Sequence, residues 1–211
     1  MKLNIKETVS FLRGLLWASC IIVGTLMLFR LLFVFLYVPG NILTAQSSDL
    51  YKVLYNALRF DFQIAAYAAL LPTVIMLMLL FVSTPKYQKW CRNFCLWYYT
   101  IVATLLALLS AIDLGYFANF NSHISFTFFD FFDEEPLSLI QTIWDDYPVI
   151  WILIGLCLWG TVTRIASKWA FLRPSQTKSC STKKTTIAIM LYIAAIVVCM
   201  RGSIGRFPLQ V

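Results

Sequence analysis

The sequence predicts an all-α polytopic membrane protein with five transmembrane helices, a cytoplasmic N-terminus, an extracytoplasmic C-terminus and short interfacial helices on the outer face. Three observations predict it. The 211 residues are 60% hydrophobic and 13% charged, with a mean hydropathy of +0.77, far from the composition of an ordinary soluble domain. Apolar stretches at 15–38, 64–82, 94–112, 148–166 and 185–200 reach or approach the roughly 20 residues a helix needs to cross the hydrocarbon core of a bilayer. The basic residues, finally, alternate from one connecting segment to the next.

That alternation sets the orientation. Lys2, Lys6 and Arg13 precede the first stretch, Lys86, Lys89 and Arg92 separate the second from the third, and Arg164, Lys168, Arg173, Lys178, Lys183 and Lys184 fall around the link from the fourth to the fifth. The other links differ. Asp49, Lys52, Arg59 and Asp61 lie between the first two stretches, and Asp113, Asp130, Asp133, Glu134, Glu135, Asp145 and Asp146 between the third and fourth, without a Lys or Arg. Lys and Arg concentrate on the cytoplasmic side of membrane proteins, so the chain starts inside, crosses five times and ends outside. The net charge of +7 is then a record of topology, and nucleic acid is not an expected partner.

Each element has its own justification. The first stretch is too long for the apolar core of a signal peptide and is followed by no small-x-small cleavage site, which makes it an uncleaved anchor. Ser48 is placed to cap a helix over Asp49–Phe60, whose Leu50, Tyr51, Val53, Leu54, Ala57 and Leu58 recur at helical spacing, a pattern suited to lying along the outer surface. It leads to Arg59-Phe60-Asp61 at the start of the second span. Thr84-Pro85 reads as the N-cap and first position of the third helix, and Trp90, Trp97, Tyr98 and Tyr99 fall at its cytoplasmic border, where amphipathic rings collect. Pro136–Asp146, with Leu137, Ile140, Ile143 and Trp144 on one face, is a second surface helix, and SFTFFDFF at 125–132 is apolar enough to sit at the interface. Asp146 before Tyr147-Pro148 is placed as an N-cap for the fourth span. Arg173-Pro174 and the Ser/Thr/Lys run at 175–184 form a hydrophilic cytoplasmic loop.

No catalytic constellation is visible. There is no Ser/His/Asp set, no phosphate-binding glycine loop followed by Lys, and one histidine with dispersed cysteines is unsuited to a zinc site. Cys20, Cys157 and Cys199 fall inside spans, and Cys91 and Cys95 share a helix face near the border, as interfacial side chains. His123 reads as a loop histidine. The acidic run from Asp130 to Glu135 reads first as a solvated outer loop, with divalent-cation binding the lesser alternative. The candidates for a role beyond topology, as headgroup ligands or structural ion pairs, are Arg30, Arg59, Asp61, Asp113 and Arg201. Arg30 falls roughly 10 Å below the outer end of the first span at 1.5 Å per residue. An unpaired charge there is costly, so it pairs with Asp61 or with Asp113, or else snorkels toward the headgroups.

Several short motifs, taken in order, resemble the N-terminal membrane domain of lipoteichoic acid synthase-like proteins, sulfatase-fold phosphoglycerol transferases of the alkaline phosphatase superfamily. NALRFDFQIAAYAALLP resembles the family's Gly-Leu-Arg-Phe-Asp opening of span two. AIDLGYFANFNSHISFTFFDFF is similar to its Asp-x-Gly-Tyr-Phe segment, IWDDYPVIW to its Trp-Asp-x-Tyr-Pro entry to span four, and RGSIGRFPL to the Arg-Gly-Gly segment leaving span five. The positions that carry over are Arg59, Phe60, Asp61, Asp113, Gly115, Tyr116, Phe117, Arg201 and Gly202. Ser203 departs from the second glycine of the last motif, and Ser122 and His123 stand where many relatives carry basic residues.

The resemblance implies a bacterial plasma-membrane anchor for a catalytic extracytoplasmic domain expected after residue 211. That domain would hold a divalent metal, typically manganese, and a Thr nucleophile that attacks the headgroup phosphodiester of phosphatidylglycerol. Neither the metal ligands nor the nucleophile has a counterpart in these residues, so this chain alone is not expected to be an enzyme. Phosphoethanolamine transferases, which also pair a five-span anchor with a related domain, are the alternative in substrate. A free-standing binding or assembly protein, or a small transporter, is the alternative in class. A transporter would be expected to break its spans in paired halves, and five spans do not divide so.

Overall fold

The computed structural model describes residues 5–40, 47–79, 84–124, 147–172 and 182–202, with Phe81, Gln141, Trp144 and Asp145. Long helices account for nearly all of them: α1 Ile5–Tyr37, α2 Ser47–Leu79, α3 Pro85–Phe120, α4 Val149–Leu172 and α5 Thr182–Arg201. The first four are long and apolar enough to cross a membrane, and α5 contains a shorter apolar helix, Thr185–Arg201. The described residues include no strand. Their outer surfaces are apolar, with Phe35, Trp151, Met190 and Leu191 each about two-thirds exposed or more, as expected of helices whose solvent is lipid.

The helices outrun the apolar stretches that predicted them. Asp49–Phe60 is helical as expected, but it continues without interruption into the second span, so surface helix and span are one 33-residue helix. The physical reason is in the residues themselves: NALRFDFQ contains neither Gly nor Pro, and nothing there ends a helix. Ser48 consequently lies in the first turn of α2. Helix α3 begins at Pro85, with Thr84 in extended conformation at its N-cap but making no side-chain capping bond. It runs on to Phe120, which puts Asp113 two turns inside it. Helix α4 continues to Leu172, six residues past the apolar stretch that predicted it, and so takes in Lys168. The segments 125–132 and 136–140, Asp146, the acidic run and the loop at 173–181 lie outside the described residues.

Helix α1 is the hub, touching each of the other four; α3 packs on α4, and α5 on α2. Small residues permit the closest approaches. A Cβ on Gly14 would sit 2.7 Å from Phe171 Cδ1, so α1 and α4 meet there almost backbone to ring. Phe171 is buried, tilted against Phe11 and Tyr99 at centroid distances of 5.6 and 6.0 Å. Ala65, Ala66 and Ala69 of α2 are buried in the same core as Ile189, Tyr192 and Ile196 of α5. Pro72 withholds an N–H from the α2 ladder; beside it the Thr73 hydroxyl donates to Ala69 O at 2.6 Å and lies 3.3 Å from the Tyr192 hydroxyl.

This packing revises two expectations about the α3 border. Cys91 and Cys95 are fully buried core residues, and Tyr99 is 1% exposed. Trp90 and Trp97 do face outward, each about half exposed. At this end of the bundle Arg92 reaches the Glu7 carboxylate of α1 and donates to Phe171 O of α4 at 3.2 Å, joining three helices. Arg164 of α4 lies with its guanidinium carbon 3.6 Å from the centroid of the Trp97 ring, a cation–π contact.

Candidate functional site

The opposite end gathers the C-terminal halves of α1, α3 and α5 and the N-terminal halves of α2 and α4. Every position carried over from the family motifs falls there. Three polar assemblies make up the site.

The first joins α1 to α2. Arg30 donates from Nη2 to Asp61 Oδ1 at 2.8 Å, so of the two acceptors considered from sequence it is Asp61 that meets Arg30. Asp61 is 0% exposed while Arg30 keeps 37% of its side-chain surface. The pair thus consists of an enclosed carboxylate and a guanidinium with one side open. Asp61 Oδ2 and Arg30 Nε are buried without a hydrogen-bond partner among the described residues. The single bond at Oδ1 is therefore what stabilises the carboxylate's charge in the bundle.

The second joins α2 to the end of α5. The last carbonyls of a helix have no partner within it, and here α2 supplies donors. Arg59 Nη2 donates to Gly202 O at 2.8 Å, and Gln63 Nε2 to Met200 O at 2.9 Å. The Tyr67 hydroxyl stands 3.5 Å from the same Met200 O. Positions 59, 63 and 67 are successive i, i+4 neighbours, so one stripe of α2 holds the end of α5. Gly202 adopts φ of 68°, and its N–H reaches Cys199 O at 3.0 Å and Val198 O at 3.2 Å, which is how a glycine ends a helix. The second Arg59 nitrogen, Nη1, lies 3.4 Å from Asn56 Oδ1, and its guanidinium carbon 5.8 Å from the Tyr55 ring centroid. Phe60 is half-buried next to it, and Arg201 is exposed on the final turn of α5.

The third closes the end of α3. Asn121 takes a left-handed conformation, φ 50° and ψ 27°, and returns the chain over the helix end. Asp113 receives it: Oδ1 accepts the Ile124 N–H at 2.9 Å, and Oδ2 lies 2.8 Å from His123 Nδ1. The His123 ring also packs between Phe33 of α1 and Phe117 of α3, at centroid distances of 5.0 and 5.2 Å. Tyr116 stacks on Phe120 at 4.5 Å. Gly115 is the point of closest approach to Tyr147, because a Cβ there would lie 3.0 Å from the Tyr147 ring. The Tyr147 hydroxyl donates to Gly115 O at 3.3 Å and accepts from Asn119 Nδ2. Tyr37, one turn beyond Phe33, donates to Leu114 O at 3.0 Å and ties α1 to the same region.

The site so built is a set of interhelical hydrogen bonds and ion pairs that fix where three helix ends sit. Among the described residues no three His, Cys, Asp or Glu side chains gather to hold a metal ion. The sequence singles out Arg30, Arg59, Asp61 and Asp113; His123 lies in the loop after α3 as expected, its contact with Asp113 being the added finding, while Gln63, Tyr67 and Tyr147 are not identified from the sequence. Gln63 and Tyr67 carry a detectable signal, since they continue the Arg59 stripe at helical spacing. The chain matches no protein family, no curated protein and no solved structure.

Proposed function

We propose that the chain is the membrane anchor and lipid-approach domain of a phospholipid-headgroup transferase of the sulfatase superfamily, with phosphatidylglycerol as donor. The Arg59–Gly202 end faces the outside of a bacterial plasma membrane, and a catalytic domain outside these 211 residues carries the metal, manganese by resemblance, and the nucleophile. The fifth crossing is α5, whose apolar part Thr185–Arg201 extends about 25 Å, a few ångströms short of the roughly 30 Å hydrocarbon core, a mismatch that a bilayer accommodates by local thinning.

The observation that carries the reading is the α2 clamp on α5. Gln63 bonds Met200 O in the last turn of α5 at 2.9 Å and Arg59 bonds Gly202 O just beyond it at 2.8 Å, so α2 holds the C-terminal end of α5 in place. An anchor that only tethers needs no such restraint. One that presents a catalytic domain to lipid headgroups benefits from it, because tethering raises effective concentration and restricted geometry lowers the barrier further. Arg201, exposed at the same end, contributes positive charge to the approach of a phosphate.

The test is diacylglycerol release by membranes carrying the complete gene product, supplied with phosphatidylglycerol labelled in its headgroup. The wild type forms diacylglycerol and transfers the label, and Arg59→Ala lowers turnover by on the order of tenfold, since positional slack at a reacting centre is costly. Turnover of phosphatidylethanolamine alone would move the assignment to the phosphoethanolamine transferases. No diacylglycerol from either lipid would end the transferase reading.

A further inference from the structure

At the end of the bundle remote from Gly202, a groove of about 680 Å³ opens between α1 and α4. Arg13, Trp17 and Ile21 of α1 form one wall at a spacing of four residues, and Val162, Ala166 and Trp169 belong to the other. The two helices run antiparallel, since Gly14 of α1 meets Ala170 and Phe171 near the end of α4. Arg13 and Trp169 therefore share one end of the groove, while Ile21 and Val162 lie at the other. Small Ala166 leaves room between the two tryptophans.

The dimensions fit one leaflet. Eight residues separate Arg13 from Ile21, about 12 Å at 1.5 Å per residue, against roughly 15 Å for half of a bilayer's hydrocarbon core. The volume falls in the range of small-molecule sites. Trp17 and Trp169, 61% and 60% exposed, are the ring type that settles at headgroup level.

Charge decides which lipid. Arg13 lines the groove, and Lys168 is exposed on the same turn as Trp169. A guanidinium at the mouth, with five donors in a planar fork, serves more than one acceptor and suits a phosphodiester. We infer that this groove binds one anionic phospholipid, its acyl chain lying between Trp17 and Trp169 along α1 and α4 and its phosphate at Arg13. The site is separate from the clamp at the other end and does not depend on the transferase reading.

The experiment compares lipid retained by the full chain after reconstitution in phosphatidylcholine nanodiscs containing equal traces of spin-labelled phosphatidylglycerol and spin-labelled phosphatidylcholine. The motionally restricted signal of the wild type favours phosphatidylglycerol by about fivefold, the effect of one basic residue near an anionic headgroup. Arg13→Gln brings the two labels to near parity while restriction of the chains persists. Ala166→Phe fills the groove and removes the excess of restricted phosphatidylglycerol, leaving the boundary signal common to both labels, with the melting temperature of each variant establishing that it is folded. Lys89→Gln, exposed on α3 away from the groove, keeps the wild-type preference. Equal restriction of the two labels in the wild type, or an Ala166→Phe protein that keeps the wild-type preference for phosphatidylglycerol, would overturn the proposal.

Discussion

Replacing Arg30 by Met isolates the most exposed liability of the bundle, an enclosed carboxylate with one hydrogen bond. Asp61 is 0% exposed, its Oδ2 has no partner among the described residues, and its Oδ1 depends on Arg30 at 2.8 Å. Removing one member of a buried ion pair costs about 3–5 kcal/mol, because the other charge remains desolvated. At roughly 2–4 °C per kcal/mol for a chain of this size, the Arg30→Met protein should melt about 6–20 °C below the wild type. Asp61→Leu should be milder, since Arg30 keeps a third of its side-chain surface open and can reorient toward headgroups. The double variant Arg30→Met/Asp61→Leu should recover most of the loss. Thermal unfolding in one detergent, followed for all four proteins of the double-mutant cycle, gives the coupling directly. Ordinary interhelical hydrogen bonds in membranes average about 0.6 kcal/mol by such cycles. A coupling above about 2 kcal/mol is expected here, and one no larger than the ordinary value would refute the assignment of Arg30–Asp61 as the charge-compensating pair of the bundle.

Three further outcomes follow from the packing and the clamp. Gly14→Ala should lower stability by about 1–3 kcal/mol through overpacking, only partly offset by the roughly 1 kcal/mol gain in helix propensity, because the new methyl meets the buried Phe171 ring at 2.7 Å; a melting temperature at or above wild type would contradict the close α1–α4 contact. Gly115→Leu should displace Tyr147, whose ring would lie 3.0 Å from a Cβ at that position, read as quickened amide exchange in the first turns of α4 while α1 is unchanged; unaltered exchange would show that Tyr147 does not rest there. The pair Arg59→Ala/Gln63→Leu should free the last turn of α5, quickening exchange at Cys199, Met200 and Gly202 by about tenfold for each 1.4 kcal/mol of restraint removed; protection equal to wild type would mean that α2 does not hold that terminus.

Much of this architecture is legible in the residues, and the parts that are not share a cause. Uninterrupted apolar length announced the helices, and Thr84-Pro85 marked the start of α3 to the residue. The Asp49–Phe60 helix was visible in its periodicity, but its fusion with the second span was not, because an amphipathic period says where a helix is and only a breaker says where it ends. Their tryptophan neighbours place Cys91, Cys95 and Tyr99 at the membrane border, but which face of α3 turns inward depends on the positions of α1 and α4. Composition limited the partners of Arg30 to Asp61 and Asp113, and packing brought Asp61 to it. The Arg59–Gly202 bond spans 143 residues of sequence, and His123 reaches Asp113 only through the left-handed turn at Asn121. Neither contact leaves a local pattern.

The functional reading depends on which end of the bundle faces outward, and charge alternation predicts that it is the Arg59–Gly202 end. In a cysteine-free background, single cysteines at Asn119 and at Lys89, exposed positions of α3 near its C-terminal and N-terminal ends respectively, would be treated with a membrane-impermeant maleimide in intact cells and again after lysis. Asn119→Cys should label in intact cells, and Lys89→Cys only once the membrane is opened. Labelling of Lys89→Cys in intact cells with Asn119→Cys protected would invert the topology and place the clamp on α5 inside the cell, where it could not present a catalytic domain to the outer leaflet.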